Sequence, residues 1–503
     1  MTTVRHFARD LARAGSIAAL LATGTAALHA QITQAEYAGR RAAFTSRVGS
    51  DGVYLVLGAA EPPKDYEAFW QKPNFRYLTG FLEPGSALVI VRKSGQDRPL
   101  LFVPPKSPAQ EVWTGERLGI AGVTTLGMEG RDAGTLRAVL DSVLADGATL
   151  HAVGDFSRTS GADVPGTRAP RTVDDQFLDR LKERLREMKV VDATRDVMAL
   201  RGRKSAAELA LIRMAAKVSA AAHKEVLGAI APDINEFEVQ ALAEYTFRRN
   251  GGDRPSYGSI VGSGPNSTTL HYNRDDRFMN AGEVVNMDMA TYYGGYSADI
   301  TRTVPVSGKF SPEQRDIYSI VLNAQMTAER QVRVGGSYRQ MNDSATTVLR
   351  AGLTRVGLID SPDATYEVNG RKVPQLSLFY MHGLGHPIGL EVHDVDVYSS
   401  GVLAEGSVFT IEPGVYVRAN TMDLIPDTPV NAAFRAKIAP AVNKYANIGV
   451  RIEDDYVVTA SGFDRISADA PREMDAIERE MAKRRGVSAR DGATVEAYRK
   501  IRP

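Results

Sequence analysis

The residues best suited to chemistry fall in four clusters. Asp288 lies in the alternating segment Val284–Ala290 and Asp299 in Ser297–Thr303, and Tyr292-Tyr293-Gly294-Gly295 supplies turn residues between them. This pattern predicts a β-hairpin. A loop at Tyr293-Gly294 sets Asp288 opposite Asp299. A loop at Gly294-Gly295 sets Asp288 opposite Thr301 and leaves Asp299 one diagonal step away. Both registers keep the two carboxylates on one sheet face, because side chains alternate with period two. Like charges facing each other destabilise a ladder. Such a pair beside Val285, Met287 and Met289 implies a compensating cation or a shared proton.

The second cluster is HGLGHPIGLEVHD, from His382 to Asp394, which holds three of the eight histidines, His382, His386 and His393. A spacing of four would place His382 and His386 on one helix face. Gly383, Gly385, Pro387 and Gly389 argue against a helix and for a tight irregular turn. The third cluster is Val408–Gly414, an apolar strand ending at Glu412. In the fourth, Gly449–Asp455, Arg451 and Glu453 alternate onto one face. Together Asp288, Asp299, His386, Glu412 and Glu453 form a hard ligand set suited to Mn²⁺, Fe²⁺, Co²⁺ or Zn²⁺. Two ions held ~3.5–4 Å apart could share a hydroxide and polarise a carbonyl.

These residues resemble the pita-bread metallopeptidases: aminopeptidase P, prolidase and methionine aminopeptidase. In that family the ligands run Asp, Asp, His, Glu, Glu with ten residues between the aspartates, as here. DITRT from Asp299, the HGLGHPIGLEVHD segment and RIEDD from Arg451 are similar to the aminopeptidase P pattern. NFRYLTGFLEP (74–84) and EVWTGER (111–117) resemble the non-catalytic domain of aminopeptidase P and prolidase, so the likeness spans roughly 35–460. The resemblance implies an α/β (α+β) chain, with a creatinase-like N-terminal α/β domain followed by a pita-bread catalytic domain. It further implies two divalent ions, with Mn²⁺ favoured, and Glu412 as both ligand and general base. By the same resemblance His271 stabilises the tetrahedral intermediate, His382 and His393 orient ligands or contact substrate, and Arg451 orients its neighbours. Homo-oligomers are common in the family. Residues 419–447 depart from its pattern: this interval is longer than in aminopeptidase P and is expected to border the active-site entrance.

The elements that must position these groups are partly legible. Short apolar strands at 53–57, 87–91 and 100–103 alternate with helical stretches such as Asp175–Met188, predicting a partly parallel sheet. Ser205-Ala206-Ala207-Glu208 is a capping box opening a helix to about Leu227, and Asp233–Glu236 begins another. The predicted layout is a leader at 1–30, an N-terminal domain at 31–190, a catalytic domain at 195–462 and a charged tail at 463–503. The leader reads as a cleaved secretory signal. Arg5, Arg9 and Arg13 precede an apolar run ending at Leu28-His29-Ala30, too short to span a bilayer. No Arg-Arg pair marks the twin-arginine route. The mature chain is therefore expected to be exported, periplasmic or secreted, without a membrane span.

With 503 residues, a net charge of +1 and no cysteine, the chain can build two domains. It offers no basic face for nucleic acid, no disulfide and no thiolate ligand. The expected activity is release of the N-terminal residue from peptides with proline second, with prolidase as the alternative. Creatinase-like chemistry and a metal-free scaffold are the remaining rivals; both states go with loss of ligands that are all present here.

Overall fold

The computed structural model describes residues 31–156, 171–395, 401–484 and 490–501; the expected leader lies outside them. Two compact units divide at Gly202 and Arg203, the first beginning at Gln31. Helix α5 (Thr194–Arg201) thus belongs to the first unit, beyond its expected end at 190.

The first unit contains α1 (Gln34–Val48), β1 (Gly52–Leu57), α2 (Pro73–Thr79), β2 (Ala87–Lys93), β3 (Gln96–Val103), β4 (Glu129–Asp132), α3 (Leu136–Val143), β5 (Thr149–Val153), α4 (Val173–Arg184) and β6 (Lys189–Asp192). Its strands form one mixed sheet in the order β4-β3-β2-β1-β5-β6. β1, β2 and β3 pair antiparallel as consecutive strands, whereas β3–β4, β1–β5 and β5–β6 run parallel across helical connections. Val53, Leu55, Val89, Leu100 and Phe102 point to one buried face, as the period-two pattern requires.

The second unit opens with α6 (Ala206–Leu227) and α7 (Glu236–Arg249). The Ser205 capping box forms as expected: Ser205 Oγ accepts the Glu208 amide at 3.2 Å and Glu208 Oε2 accepts the Ser205 amide at 2.8 Å. Asn235 and Glu238 make the corresponding box on α7. There follow β7 (Ile260–Ser263), β8 (Val284–Asp288), β9 (Thr291–Tyr293), β10 (Tyr296–Ser297) and β11 (Thr301–Pro305). Two helices, α8 (Pro312–Glu329) and α9 (Tyr338–Arg355), interrupt this strand-rich stretch; each starts at a capping box, Ser311 with Gln314 and Ser337 with Gln340. Last come β12 (Val408–Ile411), β13 (Gly414–Val417), α10 (Ala432–Tyr445), β14 (Ile448–Arg451), β15 (Asp454–Thr459), β16 (Gly462–Arg465), α11 (Met474–Met481) and α12 (Gly492–Ile501). The strands pair as β11-β8-β7, β12-β15-β16 and β13-β14. An apolar core that includes Val285, Met287, Phe379, Ile411 and Val450 packs beneath them.

The segment beyond 463, set apart in sequence as a charged tail, contributes β16 and the buried Ile477 and Met481 of α11 to this unit. Residues 419–447, expected to border the active-site entrance, hold a helix that the sequence did not announce. This helix, α10, is held against the rest of the unit: Tyr445 donates to Asp316 at 2.8 Å and Lys437 pairs with Asp360 at 2.8 Å.

Candidate metal centre

The hairpin adopts the second of the two possible registers. Gly294 and Gly295, at φ 56° and 81°, form its two-residue turn, a conformation that side-chain-bearing residues rarely adopt. Tyr293 pairs with Tyr296 and Asp288 with Thr301, so Asp299 lies diagonally from Asp288. The Tyr257 hydroxyl reaches both carboxylates, Asp288 and, at 2.5 Å, Asp299.

The other three residues come from later segments of the chain. The segment carrying His386 is irregular, as its glycines and proline require, and lies against β12. The Thr410 amide donates to His386 O at 2.9 Å and the Glu412 amide to Leu384 O at 2.8 Å. Gly385 permits this approach, since a Cβ there would meet Thr410 O at 2.1 Å. Glu412 directly follows β12. Glu453 follows β14 and is joined to the hairpin by a bridge to Thr301, whose hydroxyl donates to Glu453 Oε2 at 2.6 Å.

All five residues line one cavity of ≈ 460 Å³, together with His271, His382, His393, Arg451 and Tyr257. No residue of 419–447 is among those lining it. His386 Nε2 lies 3.4 Å from Asp299 Oδ2 and 3.5 Å from Glu412 Oε1. Ligand atoms of Asp299, His386 and Glu453 lie within 4.8 Å of one another. Arg451 donates to Asp288 Oδ2 at 2.5 Å and to the Tyr416 hydroxyl at 3.2 Å. That hydroxyl in turn meets His382 Nε2 at 2.8 Å, and His382 Nδ1 meets Gly383 O at 2.8 Å. The carbonyl can only accept, so Nδ1 carries the proton and Tyr416 donates to Nε2. Both nitrogens of His382 are therefore committed inside the protein. His271 and His393 are exposed to the cavity and free to meet a ligand.

Without a cation these carboxylates cannot all ionise. Burial lifts Glu412 to about 7 and pushes Asp299 and Glu453 up, and the neighbouring carboxylates add to each shift. Burial would lower His386, but Asp299 and Glu412 raise it to about 9. Burial also holds His382 near 4, hence neutral. Glu453 Oε1 is buried without a hydrogen-bond partner. An orphaned carboxylate oxygen among four convergent carboxylates and an imidazole fits divalent cations.

Sequence reasoning missed Tyr257, Tyr416 and Asp455. Asp455 is buried, with its carboxylate 3.1 Å from the Asp299 amide. The one local signal was the second aspartate of RIEDD. Tyr257 and Tyr416 carry no motif; pairing of Gly414 with Arg451 is what brings Tyr416 to the site.

Fold and centre together define a two-unit hydrolase of the metallopeptidase class. Residues 210–460 match the model described as metallopeptidase family M24, and 37–147 match aminopeptidase P, N-terminal domain. The chain is 31% identical over 475 residues to Xaa-Pro aminopeptidase of Escherichia coli, covering 89% of this chain and 98% of that one. It is likewise 31% identical to Xaa-Pro aminopeptidase of Haemophilus influenzae, with 89% and 97% covered. Among solved structures, zinc-substituted E. coli aminopeptidase P in complex with product matches at a TM-score of 0.75 and 28% identity, covering 91% and 100% of the two chains. Aminopeptidase PepP of Pseudomonas aeruginosa matches at a TM-score of 0.75 and 30% identity, covering 90% and 99%. The chain belongs to the aminopeptidase P family of M24 metallopeptidases, metal-dependent exopeptidases built on an N-terminal α/β domain and a pita-bread domain. No helix among the described residues is long and apolar enough to cross a membrane.

Proposed function

We propose that this enzyme releases the N-terminal residue from peptides whose second residue is proline, using two divalent ions held by Asp288, Asp299, His386, Glu412 and Glu453. The observation that carries this reading is the convergence of those five residues in one cavity of a chain that matches Xaa-Pro aminopeptidases almost end to end. When bound, the ions acidify water and polarise the scissile carbonyl. Glu412, at the wall of the cavity beside His386, accepts the proton of the attacking water and returns it to the leaving amine. His271 and His393 face the cavity and donate to the developing oxyanion. His382 does not donate to substrate; with Tyr416 and Arg451 it fixes the wall beside Glu412 and Asp288.

Mn²⁺ is the proposed native ion, and the donor set equally accommodates Co²⁺, Fe²⁺ or Zn²⁺. The mature enzyme is proposed to begin after Ala30, to act outside the cytoplasm and to form homo-oligomers. N-terminal sequencing of the secreted or periplasmic protein and its sedimentation test these points. The deciding assay for substrate compares turnover of Xaa-Pro and Xaa-Pro-Xaa peptides, after chelation and after readdition of each metal. Tripeptide cleavage dependent on metal is expected; activity confined to dipeptides would establish the prolidase alternative instead.

A further inference from the structure

An antiparallel hairpin exchanges two N–H···O bonds at every second residue pair. In the observed register those pairs are Tyr293 with Tyr296, Thr291 with Ala298, and Met289 with Ile300. The last two rungs flank Asp299, and each keeps half of its bonding. Met289 donates to Ile300 O at 3.1 Å and Ala298 to Thr291 O at 3.3 Å, while neither reciprocal bond forms. Side chains from α6 take two of the vacated groups, Met289 O and the Thr291 amide. His223 Nε2 lies 3.0 Å from Met289 O and 3.1 Å from Ile300 O. Ser219 Oγ accepts the Thr291 amide at 3.0 Å and donates to Ala215 O at 2.8 Å. Ser219 and His223 are four residues apart, so they project from the same face of α6.

We infer that Ser219 and His223 are positioning residues that open the hairpin around Asp299 and thereby set the aim of Asp288 and Asp299 toward the metals. A regular ladder in this register would hold the two carboxylates on diagonal neighbours, with Cα atoms ~7–8 Å apart. Regular strand is lost at 289–290 and 298–300, the residues bordering the two aspartates. With the strands parted, both aspartates reach the one Tyr257 hydroxyl, while the Asp299 amide, at a non-hydrogen-bonded position that points away from the partner strand, is held by the Asp455 carboxylate. Packing alone does not account for His223. Its two partners are carbonyls, so Nε2 carries the proton and Nδ1 is left as a buried acceptor without a partner. An apolar side chain would fill the volume without that penalty. Burial keeps the imidazole neutral, near a pKa of 4, so the single donor is shared between two strands at neutral pH.

This inference rests on Asp288 and Asp299 being metal ligands, and the test separates the two. Apo-protein is titrated with Mn²⁺ and Co²⁺ by calorimetry, with thermal unfolding of each metal-free variant as a fold check. His223→Leu, which keeps volume and loses the donor, is expected to bind metal about tenfold more weakly or worse. His223→Gln, whose amide supplies two N–H donors, is expected to stay within about threefold of wild type. A folded His223→Leu with wild-type affinity overturns the inference, as does a folded His223→Gln no better than His223→Leu. If His223→Leu does not fold, Ser219→Ala decides: weakened metal binding supports the role and unchanged binding refutes it. Asp299→Ala is the control: if it binds metal like wild type, the ligand reading itself fails.

Discussion

Removing the metals should make stability fall as pH rises, and the structure gives the size of the effect. In the metal-free protein His386 faces Asp299 at 3.4 Å and Glu412 at 3.5 Å and is raised from 6.5 to about 9. A group raised on folding contributes stability that is full below its unfolded value and is lost as pH climbs through its folded value. For His386 the window is therefore pH 6.5 to 9. The difference is worth roughly 3 kcal/mol at about 1.4 kcal/mol per pH unit. Glu412, raised from 4.5 to about 7, acts in the same direction over the lower part of the range. Below pH 6.5 the lowered imidazoles of His223 and His382 oppose the trend, so the measurement belongs above it. At about 1.6 °C per kcal/mol for a unit of about 300 residues, the melting temperature of the chelated protein should drop by about 5 °C between pH 6.5 and 9. Saturating Mn²⁺ should abolish the drop, because its ligands bind deprotonated and its affinity grows with pH. Scanning calorimetry at matched ionic strength, with and without chelator, reads both curves. A chelated protein whose melting temperature is flat or rising over this window would refute the electrostatic account of the site.

Three further outcomes follow from particular contacts. Asp299→Ala should abolish turnover and lower the metal content while leaving the metal-free protein folded, since it relieves a crowded carboxylate; retained turnover removes Asp299 from the site. Arg302 is fully buried and donates to Asp454, to the carbonyls of Thr301 and Glu453, and to those of Ala470 and Pro471. Arg302→Met should therefore cost about 3–5 kcal/mol in urea unfolding, and a loss under about 1 kcal/mol would show that the fork is dispensable. Tyr416→Phe removes the hydroxyl linking Arg451 to His382 and should lower kcat by about tenfold with a smaller change in KM. A change confined to KM would place Tyr416 in substrate binding instead.

Much of the site was legible because its signals are local. The hairpin, the irregular turn around His386 and the Ser205 cap all depend on residues a few positions apart. Turn chemistry and period-two alternation are enough to place them. The choice of Asp288, Asp299, His386, Glu412 and Glu453 as a set rested instead on their combination and on the family resemblance. The register was not legible, since both loops put the aspartates on one face and Gly294-Gly295 prevails through its backbone conformation. The helix within 419–447 was not legible either: closeness in sequence to two ligands says nothing of which surface α10 packs against.

The sequence by itself determined which groups could bind metal and what kind of metal they would accept, because ligand chemistry is a property of side chains. Only the tertiary structure decided how those groups are held. Tyr257, Tyr416, His223 and Asp455 come together through sheet pairing and helix packing between segments far apart in the chain. The same packing removes water from the carboxylates and raises their proton affinity. Burial of that kind exists only once the chain has closed around the site, so no local pattern could have announced it.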